Sequence, residues 1–275
     1  MPELPEVEAT RRQLDAVVRG ALVERAGPAH LATLKTFDPP LSSLEGRRLR
    51  GAERRGKHLL FPTGDGELVL HVHQMTSGRF QVLGPGAKRP KAPAFQLVLE
   101  GDVAIVLTER GTRKQARVGL YRPEAIEAEL AHLGPEAVGL GAAGLAAVLA
   151  ADSRRLHSLL RDQRALTGIG RAWANEILHR ARLSPYALSR ELGPDGIERL
   201  AATIDEALTE GIALREAGAN DARAYRIHGK LGQPCPACGT PIAQVDFEEH
   251  TIYYCPTCQT DGRVLKDRRL SRLLR

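Results

Sequence analysis

The chain has 275 residues, with 39 lysines and arginines against 33 aspartates and glutamates, a formal net charge of +6. At 43% hydrophobic and 26% charged residues it has the composition of a globular protein, not of a disordered or low-complexity one. It holds no apolar run of about 18 residues, which excludes a helical membrane span, and its acidic opening, Met1-Pro2-Glu3-Leu4-Pro5-Glu6, does not read as a secretory signal.

In chain order, residues 5–19 predict a helix, because Pro5 suits a first turn and Val7, Leu14 and Val18 share one stripe. Short apolar or alternating runs follow at 21–25, 47–52, 57–62, 67–72, 79–83, 94–99, 103–108 and 117–121, punctuated by Gly and Pro. Short strands at that spacing predict a β-sandwich or barrel. Beyond Tyr121-Arg122-Pro123 the pattern turns helical, with segments at 123–133, 142–151, 153–163, 171–182 and 194–217. Asp152-Ser153 is placed as the N-cap of the third of these, residues 218–232 read as a linker, and 233–260 hold a cysteine module before a basic tail.

Charge is clustered. The windows 47–57, 110–117 and 263–275 carry net charges of +5, +4 and +5, so the remainder of the chain is net −8. Such clustering is the footprint of a polyanion binder, although solvated arginines in an Arg-rich chain (32 Arg, 7 Lys) account for it equally well.

Cys235-Pro-Ala-Cys238 and Cys255-Pro-Thr-Cys258 form a C-x2-C-x16-C-x2-C pattern within 24 residues. Two such knuckles let four thiolates converge tetrahedrally on one structural zinc ion, and a closed set of four cysteine ligands leaves no open position for catalysis. Ile242, Val245 and Phe247, then Ile252, Tyr253 and Tyr254, read as a hairpin between the knuckles.

Gly168-Ile169-Gly170-Arg171 places a glycine turn directly before a helix that continues through Asn175 and Glu176. Exposed N–H groups at such a terminus can bind phosphate, with Arg171 adding charge; a tight interhelical turn has the same sequence. At the other end, an initiator methionine before proline is normally removed, which leaves Pro2 as a secondary amine. An α-amino group has a pKa of about 8, so a useful fraction is nucleophilic at neutral pH. Attack on an aldehydic sugar carbon yields an iminium, an electron sink for elimination. Glu3 beside Pro2, and Glu6 one turn on, are candidate proton donors, although Pro and Glu also commonly just begin helices.

Pro2-Glu3-Leu4-Pro5-Glu6-Val7-Glu8, the Gly168-Ile169-Gly170 turn leading into Ala174-Asn175-Glu176, and the four-cysteine module, in that order, resemble the formamidopyrimidine/endonuclease VIII family of DNA glycosylases over essentially the whole chain. The resemblance implies a multidomain α+β fold: an N-terminal β-sandwich, a helix–two-turn–helix domain and a C-terminal zinc finger. The expected divisions are a catalytic domain at 1–121, a DNA-binding domain at 122–222, the finger at 223–262 and a basic tail at 263–275. It implies Pro2 as the Schiff-base nucleophile, Glu3 as general acid, Lys57 as a phosphate contact that assists elimination, and Glu176 as a structural acid near the glycine turn. Lysine rather than arginine at 57 suits a group that must give and take a proton.

Several positions depart from that family. Arg171 stands where Asn is usual, and His250 replaces the finger arginine that contacts phosphates and assists δ-elimination. The family fills the gap left by a flipped base with Met, Arg and Phe from two loops. Here the loops are His73-Gln74-Met75-Thr76, with Thr76 at the methionine position, and Arg113-Lys114-Gln115-Ala116, with Gln115 replacing the aromatic residue. Gly168, Gly170, Arg171 and Asn175 are the remaining expected DNA contacts. The resemblance thus implies a bifunctional glycosylase and abasic-site lyase of base excision repair, acting on oxidised or ring-opened bases. A damage-binding protein with reduced or lost excision is the alternative; a zinc-ribbon module fused to an unrelated enzyme leaves Pro2-Glu3 unexplained. The expected partner is damaged DNA, duplex or single-stranded, bound by a monomer in the bacterial cytoplasm at the nucleoid, with no membrane partner. The tail is expected to add salt-dependent, sequence-blind affinity.

Overall fold

A computed structural model describes residues 1–109, 114–247 and 250–266; Arg113 and most of the basic tail lie outside the described residues. The chain divides into two units, Met1–His132 and Leu133–Arg275.

In the first unit, helix α1 (Leu4–Val18) begins at Glu3, the N-cap, through a reciprocal capping box with Glu6. Its stripe of Leu4, Val7, Leu14 and Val18 is fully buried, and Gly20 ends it with a φ of 77°, the left-handed conformation that stops helices. Eight strands follow: β1 (Val23–Ala29), β2 (Glu53–Arg55), β3 (His58–Pro62), β4 (Val69–His73), β5 (Gly78–Leu83), β6 (Phe95–Leu99), β7 (Val103–Glu109) and β8 (Arg117–Tyr121). They form two antiparallel sheets, ordered β1-β6-β7-β5 and β2-β3-β4-β8. Leu97, Ile105 and Leu107 of one sheet share a single core with Leu59, Val72 and Val118 of the other, and α1 contributes Val7 and Leu14. This is the β-sandwich expected. Helix α2 (Pro123–Leu130) closes the unit beside β4.

One expected strand does not form. Over 47–52 there are only isolated bridges, Leu22 with Arg48 and Leu49 with Thr63. The chain passes so close to α1 at Gly51 (φ 154°) that a Cβ there would lie 2.6 Å from the Asp15 carboxylate. That same carboxylate takes the Ala52 N–H at 2.8 Å, diverting it from any ladder.

The second unit holds α3 (Gly141–Ala151), α4 (Leu156–Leu160), α5 (Arg171–Arg180), α6 (Pro194–Glu216), α7 (Asp221–Ala224), the hairpin β9 (Ala243–Asp246) and β10 (Thr251–Tyr254), and α8 (Pro256–Thr260). Helix α6 packs on both α3 and α5. Two expectations need correction. Asp152-Ser153 does not cap a helix over 153–163: Asp152 is the extended C-cap of α3, Arg155 bridges Leu188, and the Leu156 N–H bonds to the Ala187 carbonyl at 2.9 Å, so α4 is delayed and short. The segment 218–232 is not a bare linker either, because Asn220 caps α7 through the Arg223 N–H.

Trp173 of α5 is fully buried, and its ring reaches α6 where that helix has Gly211; a Cβ there would sit 2.2 Å from the ring. Gly211→Ala should therefore destabilise the protein by about 1–3 kcal/mol through overpacking, against the roughly 1 kcal/mol that Ala gains as a helix former. A lower urea midpoint at unchanged slope is expected; a higher midpoint would show that the ring is free to move away.

Candidate functional site

Pro2 and Glu3 are both buried at the start of α1. The Glu6 carboxylate, expected as a second acid, accepts the Glu3 N–H at 2.8 Å and so fixes the backbone that carries Glu3. Lys57, only 4% exposed, occupies a two-residue turn with Gly56, closed by the Arg55–His58 pair of β2 and β3. Gly56 has a φ of 57°, the left-handed conformation that primed hairpin turns demand. The turn is tied to α1 through charge: Glu8 pairs with Arg54 at 3.1 Å, and Arg54 donates to the Gly56 carbonyl at 2.8 Å. Burial works against the Glu8 carboxylate, but hydrogen bonds from Arg11 and Arg12 and the charges of Arg11 and Arg54 outweigh it and hold its pKa below the ordinary value. The pairing of Glu8 with Arg54 is not visible in the sequence, because 46 residues separate them.

Three histidines lie next to this turn. His58 Nδ1 and His71 Nε2 are 2.8 Å apart, and the His58 and His73 rings meet edge to face at 4.6 Å. Burial, reinforced by neighbouring charge, pushes all three down: His58 to about 2, His71 to about 3 and His73 to about 4. The charges acting on His73 are those of Lys57 and Arg117. At neutral pH the imidazoles are thus uncharged, and the cations here are the lysine and arginine. His73 was expected to touch DNA; its Nδ1 accepts the Met75 N–H at 3.0 Å and so holds the loop that follows.

In that loop Met75 adopts a φ of 51° and Thr76 is exposed. Gly78 is required because a Cβ would meet the Gln74 carbonyl at 2.4 Å. The second loop shows Gln115 exposed. Glu109, 8% exposed, joins the two: its carboxylate accepts from Ser77 Oγ at 3.2 Å, from the Gln115 N–H at 3.0 Å and from the Ala116 N–H at 3.0 Å. Lys114 Nζ bonds to the Glu109 carbonyl at 2.8 Å. A shallow depression of about 420 Å³ is lined by Lys35, Met75, Lys114, Gln115 and Arg117, a cationic surface.

In the second unit, Gly168 (φ 102°) and Gly170 set the turn before α5. The Gln163 side chain clamps it, accepting from the Gly168 N–H at 3.0 Å and donating to the Ile169 carbonyl at 2.7 Å. Arg171, the first residue of α5, is exposed. Asn175 was expected on the DNA face. It is fully buried and bonds through Nδ2 to His228 at 2.8 Å, so its side chain serves the interior. Glu176, expected to position the glycine turn, instead accepts the N–H groups of Arg226, Ile227 and His228 at 2.8, 3.0 and 2.9 Å.

His250 closes the tip of the β9–β10 hairpin, where its carbonyl accepts the Phe247 N–H at 2.8 Å. Its ring stacks on Phe247 at 4.8 Å and lies parallel to His157 at 5.7 Å. Burial and the charges of Arg161 and Arg171 lower its pKa to about 4.

The four cysteine sulfurs lie within 4.8 Å of one another, with Cys235–Cys258 at 3.9 Å and Cys238–Cys255 at 3.5 Å. Thiolates about 2.3 Å from a shared zinc ion stand roughly 3.8 Å apart at tetrahedral angles, so Cys235, Cys238, Cys255 and Cys258 fit one structural zinc. The His179 Nε2 lies 3.2 Å from the Cys235 sulfur, an outer contact that orients the ligand.

Three family descriptions match the chain in succession: the formamidopyrimidine-DNA glycosylase N-terminal domain over residues 1–118, the H2TH domain of the same enzyme over 133–222, and the zinc finger found in FPG and IleRS over 232–260. The formamidopyrimidine-DNA glycosylase of Thermus thermophilus is 36% identical, the alignment covering 95% of this chain and 100% of that protein. That of Methylococcus capsulatus is 34% identical, covering 94% and 100%. Among solved structures, Lactococcus lactis formamidopyrimidine-DNA glycosylase bound to abasic-site DNA superposes with a TM-score of 0.83 at 24% identity, covering 94% of this chain and 99% of that one. With the sandwich, the helix-borne glycine turn and the four-cysteine finger matched at this coverage, the chain belongs to the formamidopyrimidine-DNA glycosylase family.

Proposed function

We propose that this protein is a DNA glycosylase and abasic-site lyase of base excision repair. The observation that carries this is the buried Pro2-Glu3 start of α1, tied through Glu8, Arg54 and Gly56 to a buried lysine at the adjoining turn. The functional modules are taken as 1–121 for catalysis, 122–222 and 223–262 for DNA binding, and 263–275 as a tether. Damaged DNA is the substrate, bound by a monomer on the bacterial chromosome.

Once Met1 is removed, the Pro2 nitrogen attacks the sugar C1′. The glycosidic bond breaks and the base leaves with its electron pair and a proton. The sugar ring opens as Glu3 protonates its oxygen, which leaves a Pro2–C1′ iminium. The iminium acidifies C2′; loss of that proton expels the 3′ phosphate by cleavage of the C3′–O bond. Lys57 serves the proton transfers and the flanking phosphate, since a lysine can exchange a proton where an arginine cannot. Glu6 is a positioning residue for Glu3. Zinc supplies folding of the finger and no chemistry.

Thr76 and Gln115 make a smaller, more polar wedge than Met and Phe, and a stacked, neutral His250 offers phosphate a hydrogen bond without charge. Both favour lesions that are already poorly stacked, and β-elimination over δ-elimination. The same features support the second reading, a protein that binds damage with reduced or lost excision.

Borohydride added to the enzyme on a duplex with an abasic site should trap a covalent adduct, and a residue left ahead of Pro2 should abolish it. Lys57→Ala should slow strand cleavage about 100-fold or more. No adduct on any of several lesions, together with tight binding to an abasic-site analogue, would replace catalysis by the binding-only reading. In the product pattern, the wild type should leave chiefly the unsaturated aldehyde end of β-elimination. His250→Arg should raise the share of 3′-phosphate ends; an unchanged share would remove His250 from the elimination step.

A further inference from the structure

The second unit contains a groove of which the mechanism uses only His250. It has a volume of about 350 Å³ and runs between α4, the Pro185–Leu188 stretch and the β9–β10 hairpin. Flat π faces line one side of it. The Phe247–His250–His157 stack forms that side, with rings 9° and 2° from parallel. Tyr186 is tilted against Phe247 at 6.2 Å, and the Arg155 guanidinium lies 3.8 Å over the Tyr186 ring.

Its permanently charged groups are cationic. Arg154 is matched by Asp152 and Asp162, whereas Arg155 has no acid within ion-pair distance among the described residues. No carboxylate among the described residues lines the groove. His157 lines it too, fully buried, and neither of its ring nitrogens meets a hydrogen-bond partner. The Arg171 backbone and the Asn175 side chain lie near that ring and favour its charged form, but burial and the charges of Arg161 and His250 outweigh them and lower its pKa to about 3. A buried polar group without a partner points to water or a ligand that supplies one.

We propose that this groove is a binding site for an unpaired nucleotide of a DNA strand, with the base against Phe247, which Tyr186 buttresses, and its phosphate on Arg155. Sequence-tolerant stacking beside a guanidinium is how single strands are held, and the volume falls within the range of small-ligand sites. The inference rests on the proposed role in DNA repair and adds to it a preference for unpaired strands, through residues of the second unit.

The test uses the full-length zinc-loaded protein and a ten-nucleotide thymidylate strand carrying one 2-aminopurine. Wild type should bind it with quenched 2-aminopurine fluorescence, and more tightly than it binds free 2-aminopurine deoxynucleotide. Phe247→Leu should restore the fluorescence and weaken single-strand binding about tenfold, as the loss of one stacking contact implies. Arg155→Gln should lower the salt slope by about one phosphate contact. Tyr186→Leu is a second route to the same loss if Phe247→Leu lowers zinc content. For all three the loss on the single strand should exceed any loss of adduct trapping on an abasic duplex. The proposal is overturned by unquenched wild-type binding, by equal affinity for the free nucleotide, by variants that bind single strands as wild type does, or by equal losses on intact duplex. Absence of trapping by the wild type would instead count against the glycosylase reading and leave the groove measurable.

Discussion

A loop that presents side chains to a partner has no helix or sheet ladder to hold its own backbone, and here carboxylates supply the missing acceptors. Glu109 takes the N–H groups of Gln115 and Ala116, Glu176 takes three N–H groups over 226–228, and Glu6 takes that of Glu3. A charged acceptor makes a stronger hydrogen bond than a neutral one, roughly 1.5–3 kcal/mol against about 1. Each carboxylate therefore fixes a segment that would otherwise sample many conformations. The catalytic geometry proposed for Pro2 and Glu3 depends on such fixing, because displacement of a reacting group by about 1 Å can cost two orders of magnitude in rate.

The division of charge follows the same logic. Histidines are numerous around both candidate surfaces, and burial keeps them neutral: His58, His71 and His73 in the sandwich, His157 and His250 beside the hairpin. Their work is stacking and hydrogen bonding. Positive charge is left to Lys114, Arg117, Arg155 and Arg171, with Lys57 kept for the proposed proton transfers. An enzyme of this design has its electrostatic attraction to DNA set by arginine and lysine, while its imidazoles shape the surface those cations stand on.

The sandwich, the zinc ligands and the N-terminal start of α1 were legible because each is written in local pattern: period-two strands, cysteine spacing, and proline with a capping acid. The failures share a cause. Strand 47–52 dissolves because Gly51 lies against Asp15 of α1, and the helix expected from 153 is delayed by pairing with residues 187–189. Asn175 was expected to touch DNA, but it lies on the buried face of its helix, bonded to His228. Arg54, Glu109 and Gln163 carry no signature, since what makes them important is a partner distant in sequence or a backbone group that any residue type could offer.

The basic window at 47–57 shows how far composition alone misleads. Most of its charge is answered inside the same unit: Arg47 pairs with Asp65 and Glu67, Arg48 with Glu100, Arg50 with Glu53, and Arg54 with Glu8. These pairs are not equivalent. The Arg47, Arg48 and Arg50 pairs face solvent, which screens them and leaves each weakly held, so a nearby phosphate can take the carboxylate's place at little cost. Arg54 and Glu8 are 13% exposed on both sides, and breaking that pair strands a largely buried charge. The same run of arginines thus holds a surface that can exchange partners with DNA and, under it, a fixed strut that keeps Lys57 in register with the start of α1.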